Sequence, residues 1–333
     1  MFKRKLEHKK RSKMDRINLI NLPTPLQEIN VDNKNNYFIK RDDLTDFALG
    51  GNKARKIEYF LYDIQKKGCN YVVTYGSAQS NHCRITAAAA TRLGLKCLLI
   101  LAGTDSDFTY TGNDILYYLT GANVRWCDVN EVSEVIKNEI KKLKSQGYNP
   151  YFIPGGGHGN LGTHAYVEAY KEIKFQSKEI GIDFDYIFVA SGTGTTQAGL
   201  IAGKQISNGN EKIVGISVAR KAHRGIEVIK ESLESYYEEY HADMLHETQD
   251  IIFDDCYIGK GYADIYKGIV DAIKFMVSKN SIVLDPVYTG KAFYGMCEYI
   301  KKENIEDKNI LFVHTGGIPI LFSKGKQIID LSI

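Results

Sequence analysis

The stretch Tyr71-Val72-Val73-Thr74-Tyr75-Gly76-Ser77-Ala78-Gln79-Ser80-Asn81-His82 passes from a β-branched, aromatic run into a polar loop that begins with glycine. A helical run follows over residues 81–93, with Asn81 as its N-cap and Gly94 as its stop. Strand, glycine-rich turn and helix form the repeating unit of layered α/β proteins, and ligands bind beyond the carboxyl ends of such strands. The alternation continues along the chain. Strands are expected near residues 71–75, 96–101, 124–126, 151–153, 186–190, 213–218, 281–284 and 310–314. Helices are expected near 113–120, 129–146, 163–180 and 265–277. The fold class that follows is α/β with mainly parallel sheets. No internal repeat or low-complexity linker separates the halves, so one domain is expected to be inserted in the other, with the site in the cleft between them. The expected boundaries are 1–53 plus 165–333 for the large domain and 54–164 for the smaller, inserted one.

Composition excludes several classes. The chain has 333 residues, 44% hydrophobic and 25% charged, which suits a packed core. Net charge is only +3, so no nucleic-acid partner is expected. Much of the excess sits in Lys3, Arg4, Lys5, Lys9, Lys10, Arg11, Lys13 and Arg16, read as a solvated end. No apolar core follows it, so it is not read as a secretory signal, and no stretch is long enough to span a bilayer. Cys69, Cys83, Cys97, Cys127, Cys256 and Cys297 show no short paired spacing. They form neither a metal motif nor a disulfide framework, and reduced thiols in a cytoplasm are expected.

Five motifs carry chemistry. Gly50-Gly51-Asn52-Lys53-Ala54-Arg55-Lys56 puts Lys53 at a helix start. Burial and neighbouring cations depress a lysine pKa and suit it to hold a carbonyl compound as a Schiff base. Asn52 is read as a cap of that helix. In the second motif, Ser77 to Asn81 open a helix whose free N–H groups attract a carboxylate. Ser80 is read as a hydroxyl acid or base beside a cofactor, and Asn81 as a donor to it. In the third, Ser191-Gly192-Thr193-Gly194-Thr195-Thr196 lies between a strand and a small-residue run. Main-chain N–H groups and hydroxyls there suit one phosphate. The loop lacks the P-loop lysine and the spaced glycines of a dinucleotide site. Asp285-Pro286-Val287-Tyr288-Thr289-Gly290-Lys291 and His314-Thr315-Gly316-Gly317 complete the set.

In this order the motifs resemble the pyridoxal-phosphate family that contains D-cysteine desulfhydrases and 1-aminocyclopropane-1-carboxylate deaminases. The resemblance runs from about Leu22 to Phe322 and includes Lys40-Arg41-Asp42-Asp43-Leu44. It implies a tryptophan-synthase-β type of fold, two open twisted sheets with pyridoxal 5'-phosphate in the cleft. It implies Lys53 as the Schiff-base lysine. Gly192, Thr193, Gly194, Thr195 and Thr196 would hold the phosphate, and Asn81 and Thr289 the ring. Ser77, Gln79, Ser80, Asn81 and His82 would meet the substrate, with Tyr262 and Tyr288 flanking it. A homodimer, a small amino-acid substrate and no metal are further implications.

Related ring-opening deaminases carry an acidic residue where this chain has Thr289. A hydroxyl there cannot neutralise a protonated pyridine, so the electron sink is weaker and loss of a β-substituent is favoured over ring opening. His82 also resembles the desulfhydrase pattern. The expected reaction is β-elimination from D-cysteine, with Lys53 or Ser80 as base and Tyr262 or Tyr288 as acid. Ring-opening deamination, elimination from cysteate or diaminopropionate, and a non-catalytic amino-acid sensor are the alternatives. The loop from Gly155 to His164 departs from the family's glycine–serine–asparagine pattern, and His158 and His164 are read there as candidate substrate contacts.

Overall fold

The β-branched runs form strands and the glycine-bounded runs form helices, in a computed structural model that describes residues 14–241 and 251–333. The first half runs β1 (Leu26–Ile29), β2 (Asn36–Lys40), α1 (Asn52–Lys66), β3 (Tyr71–Ser77), α2 (Asn81–Arg92), β4 (Lys96–Ala102), α3 (Asp114–Leu119), β5 (Asn123–Cys127), α4 (Val132–Ser145) and β6 (Pro150–Ile153). The second runs α5 (Asn160–Glu179), β7 (Tyr186–Ser191), α6 (Thr195–Ile206), β8 (Lys212–Ser217), α7 (Ala222–Tyr240), β9 (Ile252–Asp254), α8 (Lys267–Asn280), α9 (Thr289–Lys302), β10 (Asn309–Val313), α10 (Ile318–Ser323) and α11 (Gly325–Asp330). The basic run through Lys13 lies outside the described residues. Arg16 lies within them, and its guanidinium pairs with Glu58 at 2.8 Å.

Two sheets result. A four-stranded sheet has the order β5-β4-β3-β6, and a six-stranded sheet the order β1-β2-β10-β7-β8-β9. Every pairing is parallel except β1 with β2. The order explains where a site can form. In the small sheet the chain winds one way from β3 to β5, then returns to the other side of β3. In the large sheet β7, β8 and β9 wind one way, while β10 returns between β2 and β7. Such reversals open a crevice at the carboxyl end of the strands concerned. The loops after β3, β7 and β10 therefore converge there. Helices cover both faces of each sheet, as parallel strands with apolar side chains on both faces require.

Several details differ from the sequence reading. Residues 281–284 form no strand. Ser281 ends α8 at φ 54°, and the carbonyl of Val283 bonds to the His314 ring at 2.9 Å, so that carbonyl goes to a side chain instead of a strand partner. The strands β1, β2 and β9 are short or lack clean alternation, and β9 has only three residues. Ser80, not Asn81, caps α2: its Oγ accepts from the N–H of Cys83 at 3.2 Å. Asn52 is the first residue of α1 and caps nothing; its side-chain amide donates to the Thr196 hydroxyl at 3.1 Å.

Candidate active site

The converging loops line a cavity of about 420 Å³. Lys53, Ser77, Ser80, Asn81, His82, Gly192, Thr193, Gly194, Thr196, Tyr262 and Tyr288 all reach it. The sequence placed these residues on elements far apart in the chain.

Lys53 enters from the first turn of α1. Its backbone is brought close by two glycines: Gly51 sits at φ 114°, and a Cβ on Gly316 would lie 2.6 Å from the Gly51 Cα. Only glycine pairs allow the two loops to touch in this way. The Lys53 ammonium donates to Asn52 Oδ1 at 3.1 Å and meets no carboxylate among the described residues. Burial, and then the charge of Arg84, lower its pKa to about 8. The neighbouring cation is thus Arg84, which the sequence reading missed. Arg55, two residues after Lys53 in the motif, is paired with Asp42 at 2.7 Å and Glu172 at 2.8 Å. Arg84 sits one turn into α2, and its donors go to neutral acceptors: Asn113 Oδ1 at 2.7 Å, the Gly50 carbonyl at 3.0 Å and the Ala48 carbonyl. Its position four residues after Ser80, on the face of α2 that meets the Lys53 loop, was the available signal.

The loop after β3 is fixed from beneath. A Cβ on Gly76 would lie 2.5 Å from the Ser80 Oγ, so only glycine leaves room for the cap. The Asn81 side-chain oxygen accepts from Asn113 at 2.9 Å, and Asn81 lines the cavity. Thr74 donates its hydroxyl proton to the Ile153 carbonyl, so its oxygen accepts from His82 Nε2–H at 2.8 Å. Burial holds the His82 pKa well below its usual value, and this imidazole is neutral. Gln79 does not line the cavity. Its oxygen accepts from the Asn113 N–H at 2.7 Å and its nitrogen donates to Asp114 and the Thr111 carbonyl, so it props the α3 loop instead of meeting a substrate.

The loop after β7 presents Gly192, Thr193 and Gly194 at the N-terminus of α6, with Gly194 at φ 83°. Thr195 is fully buried and turned away from the cavity, and its Oγ1 meets His158 Nδ1 at 2.7 Å. His158 therefore stands behind this loop and does not line the cavity. His164 is buried on α5, where it meets the Tyr236 hydroxyl at 2.8 Å and packs edge-on against Tyr59. On the elements that bound this loop, the Ser191 hydroxyl and Gln197 Oε1 are buried without a partner among the described residues; so is the nitrogen of Lys56 on α1, which lies within electrostatic reach of Lys53 and His158.

Opposite chemistry comes from the Asp285 turn. The buried Asp285 carboxylate accepts from the N–H groups of Val287, Tyr288 and Thr289, and so aims Tyr288 at the cavity. Lys291 donates to the Ile258 carbonyl at 2.7 Å and ties down the loop that carries Tyr262. The two tyrosine hydroxyls lie 2.6 Å apart, and that of Tyr262 is 3.5 Å from the Ser77 Oγ. Thr289 does not face the cavity. Its hydroxyl accepts from the Asp285 N–H and donates to the Asp285 carboxylate, and the side chain is fully buried. Thr315, after β10, lines the cavity in its place, together with Tyr75 and Arg220. Among the described residues, no carboxylate lines it. Asp254, Asp255 and Cys256 form a cluster of metal-ligand type, but none of them lines this cavity, and two carry hydrogen bonds to backbone N–H groups.

Among the described residues, no helix is long and apolar enough to cross a membrane. The chain is 39% identical over 333 residues to a Pyrococcus horikoshii protein provisionally named 1-aminocyclopropane-1-carboxylate deaminase, covering 96% of this chain and 97% of that one. It is 36% identical to the D-cysteine desulfhydrase of Salmonella paratyphi A, covering 94% and 97%. A crystal structure of an ACC deaminase homologue superposes with a TM-score of 0.85 at 36% identity, over 96% of this chain and 97% of that one. Residues 17–316 match the model of the pyridoxal-phosphate dependent enzymes, and the chain belongs to that family.

Proposed function

We propose that this protein is a pyridoxal-phosphate lyase that eliminates the β-substituent of a small amino acid, with D-cysteine as the substrate and pyruvate, sulfide and ammonia as products. The observation that carries this reading is a cavity holding a lysine of lowered pKa, a serine hydroxyl and a hydrogen-bonded tyrosine pair, with no carboxylate among the described residues of its wall.

The residues present fit the cofactor. The glycine–threonine loop at the N-terminus of α6, with the Ser191 hydroxyl at its start unpartnered among the described residues, suits a phosphate dianion. Lys53 suits the aldehyde, Asn81 a ring oxygen, and Thr315 the ring nitrogen. When bound, the cofactor supplies an electron sink for charge developing at the substrate Cα. The protein does the rest. The first turn of α2 leaves N–H groups without helical acceptors, and these receive the substrate carboxylate. Lys53 as free base takes the Cα proton onto Nζ, with the Ser80 hydroxyl beside it. Tyr288, kept protonated by burial and by Tyr262, delivers a proton to the departing β-substituent.

The wall supports elimination over ring opening, though by a different residue from the one first expected. Thr289 is committed to Asp285, and Thr315 supplies a neutral hydroxyl. A neutral partner leaves the pyridine a modest sink, sufficient to expel a good leaving group from Cβ. A homodimer in a cytoplasm is the accompanying proposal. The test is product formation from D-cysteine beside 1-aminocyclopropane-1-carboxylate. Pyruvate from the former without 2-oxobutyrate from the latter supports elimination; the reverse pattern overturns it.

A further inference from the structure

Arg220 follows β8 and reaches the cavity wall, yet the lyase chemistry above gives it no task. It is held rigidly. One guanidinium nitrogen donates to the Gly192 carbonyl, and its own carbonyl accepts from Ser217 at 2.6 Å. Among the described residues no carboxylate lies within ion-pair distance of it, and Arg224 is a second cation close enough to disfavour its charge. A half-buried guanidinium with most of its five donors unused is costly unless an anion arrives. Among the described residues the cavity offers none of its own, because no acidic one lines it. Tyr75 lines the same wall within electrostatic reach of Arg220, and its hydroxyl has no protein partner among the described residues.

Two anions already have places. A phosphate has the α6 N-terminus, and a substrate carboxylate has the α2 N-terminus. A guanidinium fork and a phenol then remain for a third anion, and a planar fork with an adjacent hydroxyl matches an oxyanion group. We infer that Arg220 and Tyr75 form a subsite for an oxyanionic β-substituent on the amino-acid substrate, so that the chain accepts β-sulfonate or β-phosphate amino acids as well as a thiol. This rests on the lyase reading. With cysteate, the smallest such amino acid, the Cα proton passes to Lys53 and its electron pair forms the Cα–Cβ double bond. The Cβ–S bond breaks and its pair leaves with sulfur as sulfite. The enamine product takes up one water and yields pyruvate and ammonium, with no oxidant or reductant required.

The test compares the cofactor-loaded wild type with Arg220→Gln, Arg220→Lys and Tyr75→Phe on cysteate and on β-chloroalanine, whose leaving group needs no oxyanion site. The wild type should form pyruvate and sulfite from cysteate in equal amounts. Arg220→Gln should lower kcat/KM for cysteate by about tenfold or more while leaving β-chloroalanine elimination and cofactor retention on dialysis unchanged. Tyr75→Phe should show a smaller loss of the same selectivity, and Arg220→Lys an intermediate one. Equal losses on both substrates, or loss of cofactor from Arg220→Gln, would overturn the inference, the latter by assigning the guanidinium to the phosphate. A wild type active on β-chloroalanine but inert with cysteate also overturns it. A wild type inert on both defeats the lyase reading instead. In that case calorimetric binding of cysteate, present in the wild type and lost in Arg220→Gln, still supports the subsite, and its absence from the wild type overturns it.

Discussion

The hydroxyls of Tyr262 and Tyr288 lie 2.6 Å apart, one on a loop held by Lys291 and the other on a turn held by Asp285. Burial and the neighbouring phenol raise the Tyr288 pKa well above its usual value, so this group is a proton donor across the working pH range. Tyr288→Phe should lower kcat by roughly 10²-fold or more through loss of the acid, with visible cofactor absorbance unchanged. Tyr262→Phe should cost less, because it removes a partner of the donor. Retention of full kcat in Tyr288→Phe on D-cysteine would remove it from the reaction. The same variant on β-chloroalanine should lose much less, since chloride needs no proton to leave.

Lys53 and Arg84 make a pH prediction. A lysine lowered to about 8 is cationic below that pH and a free base above it. Only the free base captures an aldehyde. The rate at which apoprotein takes up pyridoxal phosphate should therefore rise with pH and level off above about 8. Arg84→Gln removes a cation that disfavours the ammonium, so the midpoint should move to higher pH. An unmoved midpoint in a folded Arg84→Gln variant would show that Arg84 does not set this pKa.

His158 was read from the sequence as a substrate contact, and it stands instead behind Thr195 at 2.7 Å. Its loss should therefore affect the cofactor more than the substrate. His158→Ala should weaken pyridoxal-phosphate binding by about tenfold, the scale of one hydrogen bond in a charged site. KM for the amino acid should stay the same. Equilibrium dialysis separates the two outcomes: unchanged cofactor affinity with a raised KM would restore the substrate role.

Beneath the site, Asp42, Arg55, Glu172 and Lys40 form a buried network of two anions and two cations. It joins the loop before Lys53 to α5. Asp42→Ala leaves an uncompensated positive charge and should cost about 3 kcal/mol or more in unfolding free energy. Arg55 and the other partners hold the Asp42 pKa below its ordinary value. Its contribution is therefore complete above the unfolded-state carboxylate pKa, and is lost as pH falls through the lower folded value. The stability gap between wild type and Asp42→Ala should accordingly narrow on acidification in denaturant titrations. A gap independent of pH would contradict the assignment.

How much of this was legible in the sequence depended on where the information lay. Strand–loop–helix units with strong local signals, such as β3 into α2 and β7 into α6, were readable because apolar run, glycine and cap lie within about a dozen residues of one another. The cavity-lining positions of Lys53, Ser80, Asn81 and Tyr288 lay in the motifs, and that of Tyr262 came from the family resemblance. What failed was direction. Gln79, Thr195 and Thr289 each sit beside a cavity-lining residue, but their side chains turn to Asn113, His158 and Asp285, partners 4 to 37 positions away. Local spacing does not encode that choice. Arg84, Arg220 and Tyr75 were overlooked for a related reason. An arginine in a helix or after a strand looks like a solvated charge until the fold removes its water and supplies no carboxylate.

The central claim is that Lys53 performs β-elimination on D-cysteine. The most direct measurement follows pyruvate and sulfide together from D-cysteine and from L-cysteine, with cofactor-loaded wild type and with Lys53→Ala. The account predicts equal amounts of pyruvate and sulfide from the D isomer in the wild type, little from the L isomer, and a loss of about 10³-fold or more in Lys53→Ala. Undiminished turnover in Lys53→Ala, or no product from either isomer by a wild type that retains its cofactor, would contradict it.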